Sequence, residues 1–251
     1  MRINIQPIEK YSDPDKGATL RVHSIFHTIQ GEGPLTGHPA IFIRLAGCNL
    51  QCPQCDTIYT GPPAELLQNG MGIRTLMVSD IVARVRSLHP GPRLVVITGG
   101  EPFRQNISPL CLALIDEDYK VQIETNGTLP PPPGFPASTG QLDAPGAWIV
   151  VSPKAGRVHP KTRELAIAWK YVLNWDSYDP EDGLPIRALG HTASPQVARP
   201  PEDFPISAIY LQPADLQDAE INAKNLRAVI RSCMRHGYTL QLQTHKILNM
   251  E

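Results

Sequence analysis

Eight short apolar runs separated by longer segments are the feature that most constrains the fold of this chain. They lie at residues 21–29, 40–45, 94–98, 121–125, 147–151, 168–173, 206–211 and 239–243, and each predicts a β-strand. Helices are predicted from Ser79, a candidate N-cap, to about residue 88, and over residues 109–117 and 214–236. Because strands that alternate with helices indicate βαβ units and a parallel sheet, we expect an α/β fold.

Composition bounds the function classes open to the chain. Its 251 residues carry a formal net charge of −1, so we expect neither a nucleic-acid nor an anionic-membrane partner. No apolar stretch approaches the ~20 residues that span a bilayer, and the first residues lack the apolar core of a signal peptide. Five cysteines, three of them clustered, do not resemble a secreted disulfide framework. We therefore expect a cytoplasmic protein, with Cys111 and Cys233 as buried, inert thiols.

Two proline-rich segments interrupt the alternation of strands and helices. Residues 129–146 and 174–205 contain many of the 26 prolines, and they predict long loop insertions. Residues 1–18 are polar and predict a loose N-terminal extension, followed by a single domain over residues 19–251. Loops of this length are mobile or functional, and nothing in their sequence decides between the two.

Three cysteines, Cys48, Cys52 and Cys55, form a C-x3-C-x2-C motif. Three thiolates can hold three corners of a cubane iron–sulfur cluster and leave one iron open to a small molecule. A structural zinc site would favour four ligands, and an electron-transfer ferredoxin would favour four cysteines per cluster. The motif therefore indicates a cluster that acts on a bound ligand.

A second motif follows about forty residues later, where the run Leu94–Thr98 ends in Gly99-Gly100-Glu101-Pro102. The two glycines remove side chains where the backbone must approach a ligand closely. Glu101 could accept a hydrogen bond from an ammonium group. Taken alone, the segment could also be a strand followed by a simple turn.

Further blocks make the pattern more specific. The chain contains Gln30-Gly-Glu-Gly33 before the cysteines, Asp56-Thr57 directly after them, and Thr244-His-Lys246 near its last residue. This set, spread over nearly the whole chain, resembles the 7-carboxy-7-deazaguanine synthases of the radical S-adenosylmethionine (SAM) superfamily. The resemblance implies a partial (β/α) barrel, with the ligand groups at the carboxyl ends of the strands.

The resemblance also implies the cofactors and the residues that hold them. A [4Fe–4S] cluster would be bound by Cys48, Cys52 and Cys55, and Mg²⁺ by Thr57, which could otherwise simply cap the turn. SAM would be contacted by Gln54, Cys55, Asp56, Gly99, Gly100, Glu101, Ser152, Pro153, Lys154, Gln212, Pro213, Ala214 and Asp215. Residues 124–126 would lie behind the SAM site.

Substrate contacts follow from the same resemblance. They would be made by Ile29, Gln30, Gly31, Glu32, Arg44, Thr98, His245 and the terminal Glu251. Glu32 suits the donor edge of an aminopyrimidinone, and Arg44 suits a carboxylate, although it could instead form a structural ion pair. The side chain of Glu251 would place a second negative charge beside the terminal carboxylate, which is a departure from a simple carboxylate ligand.

The implied reaction converts 6-carboxy-5,6,7,8-tetrahydropterin to 7-carboxy-7-deazaguanine, by radical ring contraction with loss of ammonia, for queuosine-type biosynthesis. SAM would be regenerated, and no catalytic residue beyond the cluster and SAM is implied. The expected partners are the pterin, an electron donor such as flavodoxin or ferredoxin, and a second copy of the chain in a homodimer. Two alternatives remain at this point: another radical SAM enzyme, such as a glycyl-radical activase, or a non-catalytic zinc or iron–sulfur binding module.

Overall fold

One nine-stranded sheet forms the centre of the molecule. The computed structural model describes residues 4–55, 57, 59–60, 72–88, 91, 93–138, 144–191 and 196–250. The strands are β1 (Thr19–Ile29), β2 (Pro39–Leu45), β3 (Arg74–Met77), β4 (Leu94–Gly99), β5 (Lys120–Thr125), β6 (Ala147–Val151), β7 (Ala166–Leu173), β8 (Ile209–Pro213) and β9 (Thr239–Leu240). Their spatial order is β3-β1-β2-β4-β5-β6-β7-β8-β9.

All neighbouring strands from β2 to β9 pair in parallel, whereas β1 and β3 add two antiparallel strands at one edge. Within the described residues no pairing joins β3 to β9, so the sheet remains open. The α/β fold predicted from the apolar runs is confirmed, and its form is a partial (β/α) barrel.

The two faces of the sheet carry different cores because side chains alternate along each strand. On β2, Ile41 and Ile43 point to the main core, which the sheet shares with the helices. Ala40 and Phe42 instead belong to a smaller inner cluster that fills one end of the barrel. Arg44, the next inward residue of β2, lines a cavity, so the barrel interior changes from apolar to polar along the strand.

Within the described residues, five α-helices accompany the sheet: α1 (Val78–Leu88), α2 (Ser108–Ile115), α3 (Pro160–Leu165), α4 (Ala219–His236) and α5 (Thr244–Ile247). Helix α4 has clear start and stop signals. The Asp218 carboxylate accepts the Ile221 amide hydrogen at 2.9 Å, and Gly237 ends the helix with a φ of +82°. In the part of the chain that the structure describes, no helix combines the length and the apolar character that a bilayer crossing needs.

Several element boundaries differ from the sequence-based expectation. Helix α4 begins at Ala219 and not near residue 214, because Asp215 and Asn222 bind the main-chain amides of Gln217 and Leu216 in a turn that precedes the Asp218 cap. Helix α1 begins one residue before Ser79, so that serine lies within the helix.

The remaining differences concern short elements. Residues 206–208 form a 3₁₀ turn before β8, and β9 stops at Leu240. Three elements were not expected from the sequence: β3, α3 and α5. Strand β3 is largely exposed and therefore has no burial pattern that a sequence could reveal.

The N-terminal segment is attached to the domain rather than loose. Its backbone bonds run from the Asn4 amide to the Pro53 carbonyl at 2.9 Å and from the Glu9 amide to the Cys48 carbonyl at 2.7 Å. The Asn4 side chain is buried and donates to the Cys52 carbonyl at 3.0 Å. Polar residues can hold this position because their hydrogen bonds go to the loop that carries the cysteines.

Both proline-rich insertions also contact the core. Leu129 and Phe135 pack against the main cluster from the first insertion. Leu184, Ala188 and Val197 are buried within the second. Residues 139–143 and 192–195, which belong to these insertions, lie outside the described residues.

Candidate active site

A cavity of about 630 Å³ opens inside the barrel, a size typical of small-molecule sites. Most strands contribute to it near their carboxyl ends, as parallel barrel geometry requires. The predicted site residues among its lining are Ile29, Gln30, Gly31, Glu32, Arg44, Cys48, Cys52, Gln54, Cys55, Thr57, Thr98, Gly99, Gly100, Ser152, Lys154, Gln212, Ala214, Asp215 and His245. The structure therefore brings together most residues that the sequence motifs nominated.

The three motif cysteines lie at one end of this cavity as free thiols. Burial raises the pKa of Cys48 to about 12 and that of Cys52 to about 11, and the charge of Cys55 contributes in the same direction to both. The thiols are thus close enough to influence one another. Cys111 and Cys233 are buried in the main core, as predicted, and do not line the cavity.

The donor set fits a cubane cluster better than a single metal ion. A zinc ion holds its sulfur ligands at about 2.3 Å, which brings them into near contact with one another. Among the described residues no three Cys, His, Asp or Glu side chains stand close enough together to hold one ion. Three free cysteines around one end of a ligand-sized cavity instead suit a cluster with one open iron.

A buried arginine supports the turn that presents the cysteines. Arg104 is about 1% exposed, and its guanidinium donates to the Ala46 carbonyl at 2.8 Å and to the Lys10 carbonyl at 2.9 Å. It also pairs with Glu9 at 3.2 Å. Gly47 adopts a φ of +80°, and a Cβ there would lie 2.6 Å from the Arg104 side chain. This position therefore needs glycine for both conformation and space.

The N-terminal segment covers the other side of the cysteine loop. The side-chain oxygen of Gln6 accepts hydrogen bonds from the main-chain amides of Tyr59 at 2.7 Å and Thr60 at 2.9 Å. Its side-chain nitrogen donates to the Thr57 carbonyl at 2.9 Å. This bond holds the main chain of Thr57, the candidate Mg²⁺ ligand, and Thr57 also lines the cavity.

The two glycines after β4 are required by backbone packing as well as by any ligand. A Cβ on Gly99 would lie 2.2 Å from the Leu45 carbonyl oxygen, and one on Gly100 would lie 1.8 Å from that of Gly47. Both glycines line the cavity. Their small size lets the ends of β2 and β4 meet directly beneath the cysteine loop.

Glu101, a predicted SAM contact, forms hydrogen bonds within the protein. The residue is fully buried, and its carboxylate accepts the Thr125 hydroxyl at 2.7 Å, the Asn126 amide at 2.8 Å and the Phe103 amide at 3.0 Å. Burial raises the pKa of Glu101. These contacts link the ends of β4 and β5, and the SAM contact of Glu101 stays a prediction.

The remaining predicted SAM contacts surround the cysteine end of the cavity. The Lys154 ammonium donates to the Ser152 carbonyl at 2.8 Å and to its hydroxyl at 2.5 Å, and burial lowers the pKa of Lys154. Asp215 accepts the Gln217 amide, which lowers the pKa of that carboxylate. Pro153 and Pro213 are not among the described residues that line the cavity, and Asp56 lies outside the described residues.

The second proline-rich insertion reaches this part of the site, which the sequence did not reveal. The Gln54 amide donates to the Leu189 carbonyl at 3.0 Å, and Leu189 itself lines the cavity. A Cβ on Gly190 would lie 2.9 Å from the Gln54 side chain. The insertion therefore forms a wall beside the predicted SAM contact at Gln54.

A buried ion triad also lines the cavity. The Lys170 ammonium contacts the Glu32 carboxylate at 2.5 Å and the Glu124 carboxylate at 2.6 Å. The Gln243 side chain donates to the other Glu32 oxygen at 2.6 Å. Although burial acts in the opposite direction, the Lys170 charge lowers the pKa of Glu32 to about 2. Glu32 is therefore an ionised acceptor at neutral pH.

The other predicted substrate contacts flank this triad. Arg44 and Thr98 are direct neighbours on β2 and β4, and the Arg44 guanidinium lies 5.1 Å from the centre of the Phe26 ring. His245 packs on Gly31, where a Cβ would lie 2.1 Å from its Nδ1. Glu251 lies outside the described residues.

Lys170 is the functional residue that sequence reasoning missed. A single lysine in the apolar strand Ala166–Leu173 was the available signal, since an unpaired charge on a buried strand needs a partner. The partners, on β5 and in the Gln30–Glu32 segment, could not be read from local spacing. His23, Phe42, Val172 and Asn174 also line the cavity without a preceding sequence signal.

Comparison with known proteins assigns the family. A model of the radical SAM superfamily matches residues 42–137. The 7-carboxy-7-deazaguanine synthase of Rhodospirillum rubrum is 37% identical over 248 residues, which cover 95% of each chain. That of Rickettsia prowazekii is 35% identical over 246 residues, covering 94% of this chain and 90% of the relative.

The fold agrees with this assignment. The crystal structure of QueE from Escherichia coli matches with a TM-score of 0.63 at 26% identity, covering 89% of this chain and 93% of that one. The sequence relatives, the barrel and the cavity lined by three cysteines thus agree with one another. The chain belongs to the 7-carboxy-7-deazaguanine synthase family of radical SAM enzymes.

Proposed function

We propose that this chain converts 6-carboxy-5,6,7,8-tetrahydropterin to 7-carboxy-7-deazaguanine with loss of ammonia. The observation that carries the proposal is one cavity lined by two chemically different groups. One group is the three thiols, and the other contains an acceptor carboxylate held by Lys170. Family membership over 95% of the chain supports the same reaction, and neither a glycyl-radical activase nor a metal-binding module is favoured.

The cysteine end would hold the cofactors. Cys48, Cys52 and Cys55 would ligate a [4Fe–4S] cluster. Once bound, the cluster and SAM supply the electron and the 5′-deoxyadenosyl radical that begin the chemistry. The SAM contacts would come from Gln54, Cys55, Asp56, Gly99, Gly100, Glu101, Ser152, Pro153, Lys154, Gln212, Pro213, Ala214 and Asp215. The Lys154 ammonium and the glycine backbone suit the polar and the close contacts of such a ligand, respectively.

The triad end would bind the pterin. The ionised Glu32 accepts hydrogen bonds only, which suits the amino and ring N–H groups of an aminopyrimidinone. Arg44 and Thr98 offer donors for the substrate carboxylate, and His245 closes the cavity over Gly31. Thr57 would add a hydroxyl ligand for Mg²⁺, which prefers oxygen ligands and keeps several waters.

The residues of this chain would contribute to the reaction by orienting the substrate and by excluding solvent. A ring held at Glu32 and Arg44 presents a fixed face to the cysteine end, which supplies the orientation that radical transfer requires. The apolar side chains of Phe42, Val172 and Leu189 line the space between polar groups. They would limit the water and oxygen that reach the reacting atoms.

The wider setting is also a proposal. The chemistry requires a one-electron donor, for which flavodoxin or ferredoxin is suited. We infer a cytoplasmic homodimer that serves 7-deazapurine synthesis. The free thiols fit a reducing compartment, and the homodimer rests on the family resemblance alone.

Anaerobic reconstitution tests the proposal. The protein is loaded with iron and sulfide and is then incubated with reductant, SAM, Mg²⁺ and 6-carboxytetrahydropterin, while products are followed by mass spectrometry. We expect 7-carboxy-7-deazaguanine from the native protein, less without Mg²⁺, and none from Cys52→Ala, which should also lose most of its iron. Cys233→Ala is the matched control, because that thiol does not line the cavity. Cleavage of SAM with the pterin left intact would refute the substrate while retaining the radical SAM assignment.

A further inference from the structure

Lys170 occupies an unusual position for a lysine. It lies in β7 between Trp169 and Tyr171, both fully buried in the main core, and its own side chain is 7% exposed. Strand alternation directs it to the inner face of the sheet. There it meets two carboxylates at hydrogen-bond distance, Glu32 at 2.5 Å and Glu124 at 2.6 Å.

Stability alone does not explain this arrangement. Removing three charges from water costs several kcal/mol per ion, and well-packed apolar residues often replace a buried ion group without loss of stability. The triad has a net charge of −1 and lines a ligand cavity. A role for the Glu32 and Glu124 carboxylates in ligand binding explains the buried Lys170 ammonium better than a contribution to folding stability does.

The triad also fixes the orientation of Glu32 at both of its oxygens. Lys170 holds one oxygen, and the Gln243 side chain holds the other at 2.6 Å. Each oxygen keeps a second acceptor position. Without the ammonium, Glu32 and Glu124 would be adjacent like charges, and such pairs retain a shared proton. A protonated pair could donate as well as accept.

We propose that Lys170 is a positioning residue that makes Glu32 an obligate hydrogen-bond acceptor and thereby selects ring edges with adjacent N–H donors. This inference rests on the proposed function and adds the origin of its selectivity. A pterin presents an amino group and a ring N–H at that edge. A lumazine, with an oxo group in place of the amino group, presents a carbonyl oxygen there and would be rejected.

Equilibrium binding to the anaerobic, cluster-loaded protein with SAM provides the test. The probes are 6-carboxypterin, the oxidised and unreactive form of the ring, and 6-carboxylumazine. The native protein should prefer the pterin. In Lys170→Met we expect pterin binding to weaken about 10- to 100-fold, the size of a lost charge-assisted hydrogen bond, and the preference over lumazine to fall at least tenfold. Lys170→Arg should restore most of the preference.

Two controls separate this role from a structural one. Lys161→Met removes an exposed lysine that pairs with Glu164, and it should change neither probe. Iron content should remain native in Lys170→Met, because the hydrogen bonds of the Lys170 ammonium go to Glu32 and Glu124 rather than to a predicted cluster ligand. A folded Lys170→Met protein that keeps the native preference would overturn the inference.

The pH dependence of the preference supplies a second test. The charged groups that act on Glu32 include Lys170, Lys154 and His245, while Glu124 shares the Lys170 ammonium. A histidine can gain a proton in this pH range, so the native protein is compared with His245→Gln. Because Lys170 keeps Glu32 ionised, the preference for pterin should stay constant between pH 6.5 and pH 5 in His245→Gln. A preference that declines as the pH falls in both proteins would overturn the inference. Absence of turnover in the native protein would instead refute the proposed function.

Discussion

The lack of a side chain at Gly31 leaves room for the His245 ring beside the proposed substrate site. The His245 ring lies where a Cβ at position 31 would be, 2.1 Å from its Nδ1. The Thr244 amide also donates to the Gly31 carbonyl at 3.2 Å. The segment after β9 can therefore close on the cavity only because residue 31 lacks a side chain.

We expect Gly31→Ala to raise KM for the pterin about tenfold or more, because the added methyl group displaces His245 from the site. The measurement is a double-mutant cycle with His245→Ala. If the loss occurs through the histidine, the two effects are strongly non-additive. Additive effects would mean that Gly31 acts on the backbone independently of His245.

At this scale the sequence revealed residues whose role depends on short-range spacing. Cys48, Cys52 and Cys55 were found directly, and the structure places them together in one cavity. Lys170 was missed because its partners lie 46 and 138 positions away in the chain. The hydrogen bonds that Glu101 accepts come from the end of β5 and the turn after β4, and local motif reading does not register these donors.

Among the elements, the N-terminal segment has a role that its composition did not suggest. Gln6 satisfies two main-chain amides of the Tyr59–Thr60 turn and one carbonyl of Thr57. Unpaired groups of this kind cost about 1–3 kcal/mol each when they remain buried. The segment therefore stabilises the chain that follows the third cysteine.

We expect Gln6→Ala to lose its iron–sulfur absorbance in air about tenfold faster than the native protein, since the loop opens more often. Gln196→Ala is the matched control, because that exposed side chain donates to Asp179 and not to the cysteine loop. Equal rates for the two variants would show that the Gln6 side chain does not protect the cluster loop.

The second insertion is anchored by Arg199. Its guanidinium binds both oxygens of Asp182, at 2.6 and 3.1 Å, and the Pro185 carbonyl at 2.8 Å. We expect Arg199→Ala to destabilise the protein by about 1–3 kcal/mol and to raise KM for SAM severalfold, because Leu189 belongs to the same insertion. Thermal unfolding and steady-state kinetics check the two effects, with the exposed Arg187→Ala as control. An unchanged KM for SAM would separate the insertion from the cofactor site.

The central strands were predictable because their apolar runs reflect burial on both faces of a parallel sheet. Residues 147–151 were placed with the observed bounds. The irregular segments could not be placed, since buried positions such as Leu184 and Val197 are scattered among polar residues without a period. Their structure depends on long-range contacts such as those of Arg199.

For the whole molecule, stability in acid depends on two buried carboxylates, one with a lowered pKa and one with a raised pKa. Lys170 lowers the pKa of Glu32 from 4.5 to about 2. Glu32 therefore adds stability above pH 4.5, and this contribution is lost as the pH falls towards 2. Burial raises the pKa of Glu101, so its ionised form costs stability as the pH rises above the unfolded value.

Between pH 6 and pH 3 the free energy of unfolding should fall in both the native protein and Glu32→Gln. We expect the fall in Glu32→Gln to be smaller than that in the native protein by about 1–2 kcal/mol. Denaturant unfolding at the two pH values measures the difference, and the Glu101 contribution is common to both proteins. Parallel losses in the two proteins would show that the Lys170 charge does not hold Glu32 ionised.

The site also has a consequence for the order in which the protein is made. The contact that closes the substrate end joins residues 213 positions apart, Gly31 and Thr244. At synthesis rates of about 5–20 residues per second, the first partner waits on the order of 10–40 s for the second. During translation the cysteine loop emerges long before its cavity can close, so nascent chains expose reactive thiols without shelter. Synthesis without oxygen should therefore spare the three cysteine thiols during the interval in which the cavity does not yet enclose them.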